Sequence, residues 1–206
     1  GITAVEILAV IQMLVIAYMV CKQKDNAKIK EKIKKIITPG VVVYLCLCAI
    51  AIWSNQGRMF ENHDEFTHWG KIVKNMFLYN TYGTNAESAI TFNEYPPFTA
   101  TFQYIFVAIK NEFSETIPIT AQCILYFSII IPITKNIKWD KSIKNLSVII
   151  PMLIFIPMIF YSTFYIDIMA DGILGVMFGT CIFYACQNEE FKFKYTKILT
   201  MLIMMA

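Results

Sequence analysis

Apolar residues come in runs along this chain, and polar residues gather between them. The runs cover about 2–20, 36–53, 117–133, 146–162 and 167–186, and a last one opens at 198 and reaches 206. A helix rises about 1.5 Å per residue, so roughly 17–25 apolar residues carry it across the hydrocarbon of a bilayer. The pattern predicts an all-α fold. It is a polytopic membrane helix bundle in which residues 1–206 form a single transmembrane domain with an incomplete last span. The first run lacks a basic start and is followed by lysines, which separates it from a signal peptide. The chain starts at Gly1 and stops at Ala206 inside an apolar run, so it is expected to be a piece of a longer protein.

The polar intervals set the orientation. Residues 21–35, 134–145 and 187–197 are rich in lysine and are expected on the cytoplasmic side. Both ends of the region 54–133 are thereby fixed, and an odd number of crossings must lie between Pro96 and Thr134. The apolar piece 96–109 is too short to cross and is predicted to lie along the outer interface. Residues 54–116 then form an outer loop with two interfacial helices, 63–78 and 96–109. In the first, Phe66, Trp69, Val73 and Met76 share one helical face, and Asp64, His68, Lys71 and Asn75 share the other.

Composition agrees with the pattern. The hydrophobic set makes up 57% of the chain and the mean hydropathy is +0.53, against roughly 45–50% apolar in soluble domains. A net charge of +3 points to no nucleic-acid partner. Cys21, Cys46, Cys48, Cys123, Cys181 and Cys186 all lie in or beside apolar runs, which suits small packing residues rather than a disulfide or zinc framework. The wealth of Ile, Lys and Asn points to an AT-rich bacterial genome and hence to a bacterial plasma membrane.

The candidate chemistry lies in the outer loop and at the outer end of one span. Asp64 and Glu65 open the first interfacial helix, where Asn62 and Glu65 also have capping-box spacing. Asp64 and His68 stand at i and i+4 and could share a divalent ion, with Asp167 as a third ligand. Arg58, the only arginine, and Lys71 are candidate phosphate contacts. Asp171 lies one turn deeper than Asp167 and is expected to face the bundle interior, because a carboxylate at membrane depth costs about 2.5–3.5 kcal/mol.

Taken in order, Asp64-Glu65, His68, Met76, Glu94-Tyr95-Pro96-Pro97 and Tyr165-Ile166-Asp167 resemble the outer-loop motifs of GT-C membrane glycosyltransferases. The likeness covers roughly residues 37–186 and is nearest in style to aminoarabinose-to-lipid-A transferases and protein O-mannosyltransferases. That family often has a lysine ahead of the Pro-Pro pair, where this chain has Tyr95, and it lacks the additional first span. The resemblance implies transfer of a sugar from a polyprenyl-phosphate donor to a glycan, lipid or protein acceptor at the outer membrane surface. It implies Asp64 as base, Glu65 as its support and Asp167 as a second acidic position. Arg58, His68, Lys71, Glu94 and Tyr95 would then contact donor phosphate or substrate. The residues leave open three other readings: a polysaccharide polymerase or ligase of the cell envelope, a transporter or channel subunit that is not an enzyme, and an assembly protein with no activity of its own.

Overall fold

Thr38 starts the first helix that can be followed in full. Its hydroxyl oxygen accepts the N–H of Val41 at 3.3 Å, and Pro39 fills the first helical position, where no N–H is needed. The computed structural model describes residues 37–81 and 97–186, with single positions at 7, 11, 14, 18, 90, 92, 94 and 95. Ile7, Ile11, Leu14 and Tyr18 are helical and exposed. The rest of the predicted first span, the intervals 21–35 and 187–197, the run from 198 and Pro96 lie outside the described residues.

The elements are α1, Pro39–Ser54; a π-helical turn, Glu65–Trp69, running into α2, Gly70–Tyr79; α3, Phe98–Lys110; and α4, Thr116–Ile130, extended by a tighter turn, Ile131–Thr134. After the short turn Trp139–Lys141 come α5, Ser142–Phe160, and α6, Ala170–Cys186. The protein is all-helical, with no strand among the described residues. Two stretches, Thr116–Thr134 and Trp139–Phe160, are long and apolar enough to cross a membrane, and Pro39–Ser54 and Ala170–Tyr184 are shorter apolar helices. At 13 residues, α3 reaches only about 20 Å.

α1 and α4 lie antiparallel along their whole length. Tyr44 meets Ser128 at 3.1 Å, Asn55 meets Cys123, and the Thr116 hydroxyl donates to the Arg58 carbonyl at 3.0 Å. At the other end the Trp139 indole N–H donates to the Ile37 carbonyl at 3.3 Å. One end of the pair thus carries the start of the 54–97 loop, and the opposite end carries the interval with Lys135, Lys138, Lys141 and Lys144.

Three apolar clusters hold the loop end together. Ile72, Val73 and Met76 of α2 pack on Tyr104 and Val107 of α3. Phe60 of the loop meets Ile119 of α4 and Ile168 from the segment before α6. Tyr126 of α4 packs on Phe164 and on Ile173 of α6. By contrast, no residue of α5 is buried; Ile143 and Phe160 are 86% and 85% exposed.

Two features differ from the sequence pattern. His68 and Asn75, expected on the polar face of the first interfacial helix, are buried, and Phe66, expected on its apolar face, is exposed. The π turn is the reason for the change before Gly70. It takes up one residue more than an α turn, so positions ahead of it are rotated by roughly 100° against an unbroken α-helix. Asn75 lies beyond the turn and is buried with its helix neighbours Ile72, Val73 and Met76. Asp171 is exposed rather than turned inward. It stands in the first turn of α6, where a carboxylate can reach water and the helix dipole favours it.

Gly70 is required where the π turn meets α2. A Cβ there would run into the Phe60 ring and stand 2.8 Å from the Glu65 carbonyl oxygen. Gly70→Ala is therefore expected to destabilise by about 1–3 kcal/mol through overpacking. Thermal unfolding of the variant beside wild type measures this, and an unchanged midpoint would remove the packing argument.

Candidate functional site

The loop that leaves α1 is fastened by carboxylates. The Phe60 N–H donates to Glu115 Oε2 at 2.7 Å, which pins the loop to the start of α4. The N–H groups of Glu61 and Asn62 both donate to Glu65 Oε2 at 2.9 Å, so Glu65 closes back on Asn62 as its capping-box spacing predicts. Its other oxygen, Oε1, accepts the N–H of Ile168 at 3.1 Å, 103 positions away in sequence. Glu65 is 1% exposed, and all three bonds come from main-chain donors. It joins the loop after α1 to the segment ahead of α6.

Asp167 stands beside that junction and is 2% exposed. Thr163 donates its hydroxyl to Oδ2 at 2.7 Å, and the Met169 N–H donates to Oδ1 at 3.2 Å, which shapes the turn into α6. The Tyr161 hydroxyl also faces Asp167 and lies within electrostatic reach of Glu65. Asp64, one residue before Glu65, has the opposite environment. Its side chain is 55% exposed, and its contact is His63 Nδ1 at 3.5 Å. The two segments singled out from the sequence therefore meet, with Asp64 exposed to solvent and Glu65 and Asp167 buried.

His68 is 1% exposed, among the rings of Trp69, Phe92 and Tyr95. The Phe92 N–H donates to its Nδ1 at 3.3 Å, which places the imidazole hydrogen on Nε2 in the neutral ring. That Nε2–H finds no hydrogen-bond partner in the structure described. Burial holds the imidazole below its ordinary value of about 6.5, and the nearby Asp64 carboxylate opposes the shift only in part. Because the folded pKa is depressed, the unfolded chain takes up a proton first as pH falls. The stability this provides is complete above about pH 6.5 and declines below it. The unfolding temperature of wild type is expected to fall more steeply than that of His68→Gln on acidification from about pH 6.5. Parallel slopes would remove His68 as the cause.

No family model matches the chain, and neither does any curated protein or solved structure.

Arg58 is partly exposed, with Nη1 3.7 Å from Glu61 Oε1, and its buried Nε–H has no partner among the described residues. Lys71 and Lys74 line a cavity of about 330 Å³ together with Glu65, Phe60, Phe113 and Glu115. Glu94 is exposed and Tyr95 half exposed, next to Phe92. Among the described residues no three His, Cys, Asp or Glu side chains are grouped to hold a metal ion. His68 accepts a hydrogen bond at Nδ1, and Asp167 accepts one at each carboxylate oxygen.

Sequence reasoning missed Thr163, Tyr161, Phe92 and Glu115. Thr163 had a signal, since a hydroxyl four residues before an acidic residue at a helix start can bond it. Glu115 had none, because its partner is a main-chain N–H in a distant loop.

Proposed function

We propose that this chain is the membrane part of a glycosyltransferase. It moves a sugar from a polyprenyl-phosphate donor to a glycan, lipid or protein acceptor at the outer surface. The observation that carries the reading is the bond between Glu65 and Ile168, which brings the segments of Asp64 and Asp167 to one end of the helices. That end is opposite the lysine interval 134–145, and lysines in short loops favour the cytoplasmic side.

The uncovered circumference of α5 supports a lipid setting. At roughly 1.5–3 kcal/mol per large apolar side chain removed from water, its exposed Ile, Phe and Met side chains favour lipid by on the order of 10 kcal/mol. Pro151 and Pro157 leave the Ser147 and Leu153 carbonyls of this helix without an i+4 donor, and the Tyr165 hydroxyl donates to the Leu153 carbonyl at 2.9 Å, as a helix in a bilayer requires of a freed main-chain group.

In the proposed reaction Asp64 takes the proton of the acceptor hydroxyl as that oxygen bonds to the anomeric carbon. The bond from the anomeric carbon to phosphate breaks, and the polyprenyl phosphate leaves with the electron pair. A phosphate leaving group needs no added proton at neutral pH, so the Arg58 cation beside the loop has more to offer than a general acid. Glu65 and Asp167 hold the two segments in place.

The test is transfer of a radiolabelled sugar from a polyprenyl-phosphate donor by the full-length protein in membranes, with wild type and Asp64→Asn compared. Transfer that does not depend on Asp64 would overturn the assignment.

A further inference from the structure

Trp69, Phe92 and Tyr95 form a group that the proton transfer does not use. Phe92 and Tyr95 are nearly parallel, 16° apart with centroids 5.0 Å apart, and Tyr95 and Trp69 are 26° apart at 6.0 Å. Carbon surfaces touch at about 3.5–4.0 Å, so rings at these separations must be slid sideways past one another. They form a stepped row in which Phe92 and Tyr95 are 46% and 48% exposed and Trp69 is half-buried. His68 stands at 75–90° to all three rings and props them from beneath.

We propose that this aromatic step is a carbohydrate subsite that takes one face of a pyranose ring. The proposal rests on the glycosyl-transfer reading and names what lies beside Asp64 in it. The C–H bonds on one face of a pyranose carry partial positive charge and match the negative face of an aromatic ring. The hydroxyls at the sugar's edge need polar partners, and the surroundings offer them. Asp64 is four residues from His68 and within its electrostatic reach, Glu94 is exposed beside Tyr95, and the Tyr95 hydroxyl lies at the rim. The His68 Nε2–H has no acceptor among the described residues. Rotation of the half-exposed Tyr95 would open it to a sugar hydroxyl, an acceptor that a lipid chain cannot supply. A belt of aromatic residues resting in the membrane interface is the competing occupant, and it predicts contact with acyl chains instead.

The experiment uses the full-length protein in nanodiscs, with every tryptophan other than Trp69, Trp53 and Trp139 included, changed to Phe so that Trp69 alone emits. Methyl pyranosides of gluco, manno and galacto configuration are titrated, with saturation-transfer NMR on the sugar C–H protons. The expected result is a saturable Trp69 response to at least one of them. Phe92→Ala and Tyr95→Ala should weaken that response about five- to tenfold, while Tyr95→Phe retains most of it. No response to any of the sugars overturns the proposal, and quenching of Trp69 by brominated acyl chains would then identify an interfacial belt. The measurement needs no turnover, so the two readings fail separately. Sugar binding without transfer keeps the subsite and removes the transferase. Asp64-dependent transfer with unchanged donor KM in Phe92→Ala and Tyr95→Ala keeps the transferase and removes the subsite.

Discussion

Asp64→Asn is expected to lower sugar transfer by about 10²–10⁴-fold, the usual contribution of a general base. The amide keeps the size and the hydrogen-bonding reach of the side chain but no longer accepts the acceptor's proton. Stability should change little, within about 0.5 kcal/mol, because the carboxylate is more than half exposed and touches only His63 at 3.5 Å. An exposed ion pair of this kind contributes under about 1 kcal/mol. Steady-state transfer and thermal unfolding on the same preparation separate the two quantities. A variant that keeps the wild-type rate ends Asp64's role, and one that loses rate and stability together makes the residue a support.

Glu65→Ala is expected to give the reverse picture, with a large loss of stability. Removing this buried carboxylate strips the acceptor from three main-chain donors, those of Glu61, Asn62 and Ile168. Each buried donor left unmet costs about 1–3 kcal/mol, and partial rehydration brings the sum to about 3–5 kcal/mol. For a chain of this size that corresponds to a fall of roughly 6–20 °C in Tm. Residues 54–62 should become open to protease as the loop comes away from the segment before α6. Glu65→Gln should fall between, since it keeps one acceptor oxygen and turns an N–H₂ toward a main-chain donor. Glu61→Ala, whose side chain is 69% exposed, serves as the quiet control. A midpoint within a degree or two of wild type in Glu65→Ala would show that the Glu65–Ile168 bond does not hold the two segments.

These neighbours show where sequence reasoning stops. Asp64 and Glu65 have the same chemistry at adjacent positions, and both were candidates for one acidic pair. One chain position is a rotation of roughly 100° about a helix, enough to send one carboxylate to water and the other beneath it. Which goes where depends on the Ile168 N–H, a partner supplied from far along the chain. The same holds for His68. Its spacing put it on the polar face, yet the π turn and the Phe92 main chain make it a buried, neutral ring.

The apolar runs and the lysine intervals determined much without help. They predicted an all-α chain, a helix over 96–109 too short to cross a membrane and a polar loop opposite a lysine-rich end. Each follows from local composition and from the length that a helix needs. Only the tertiary structure decided that no residue of α5 is buried, that the loop is pinned by Glu65 and Glu115, and that Trp69, Phe92 and Tyr95 stack in one row. Periodicity reports which face of an element is apolar. It cannot report what another element, a hundred residues away, brings to meet that face.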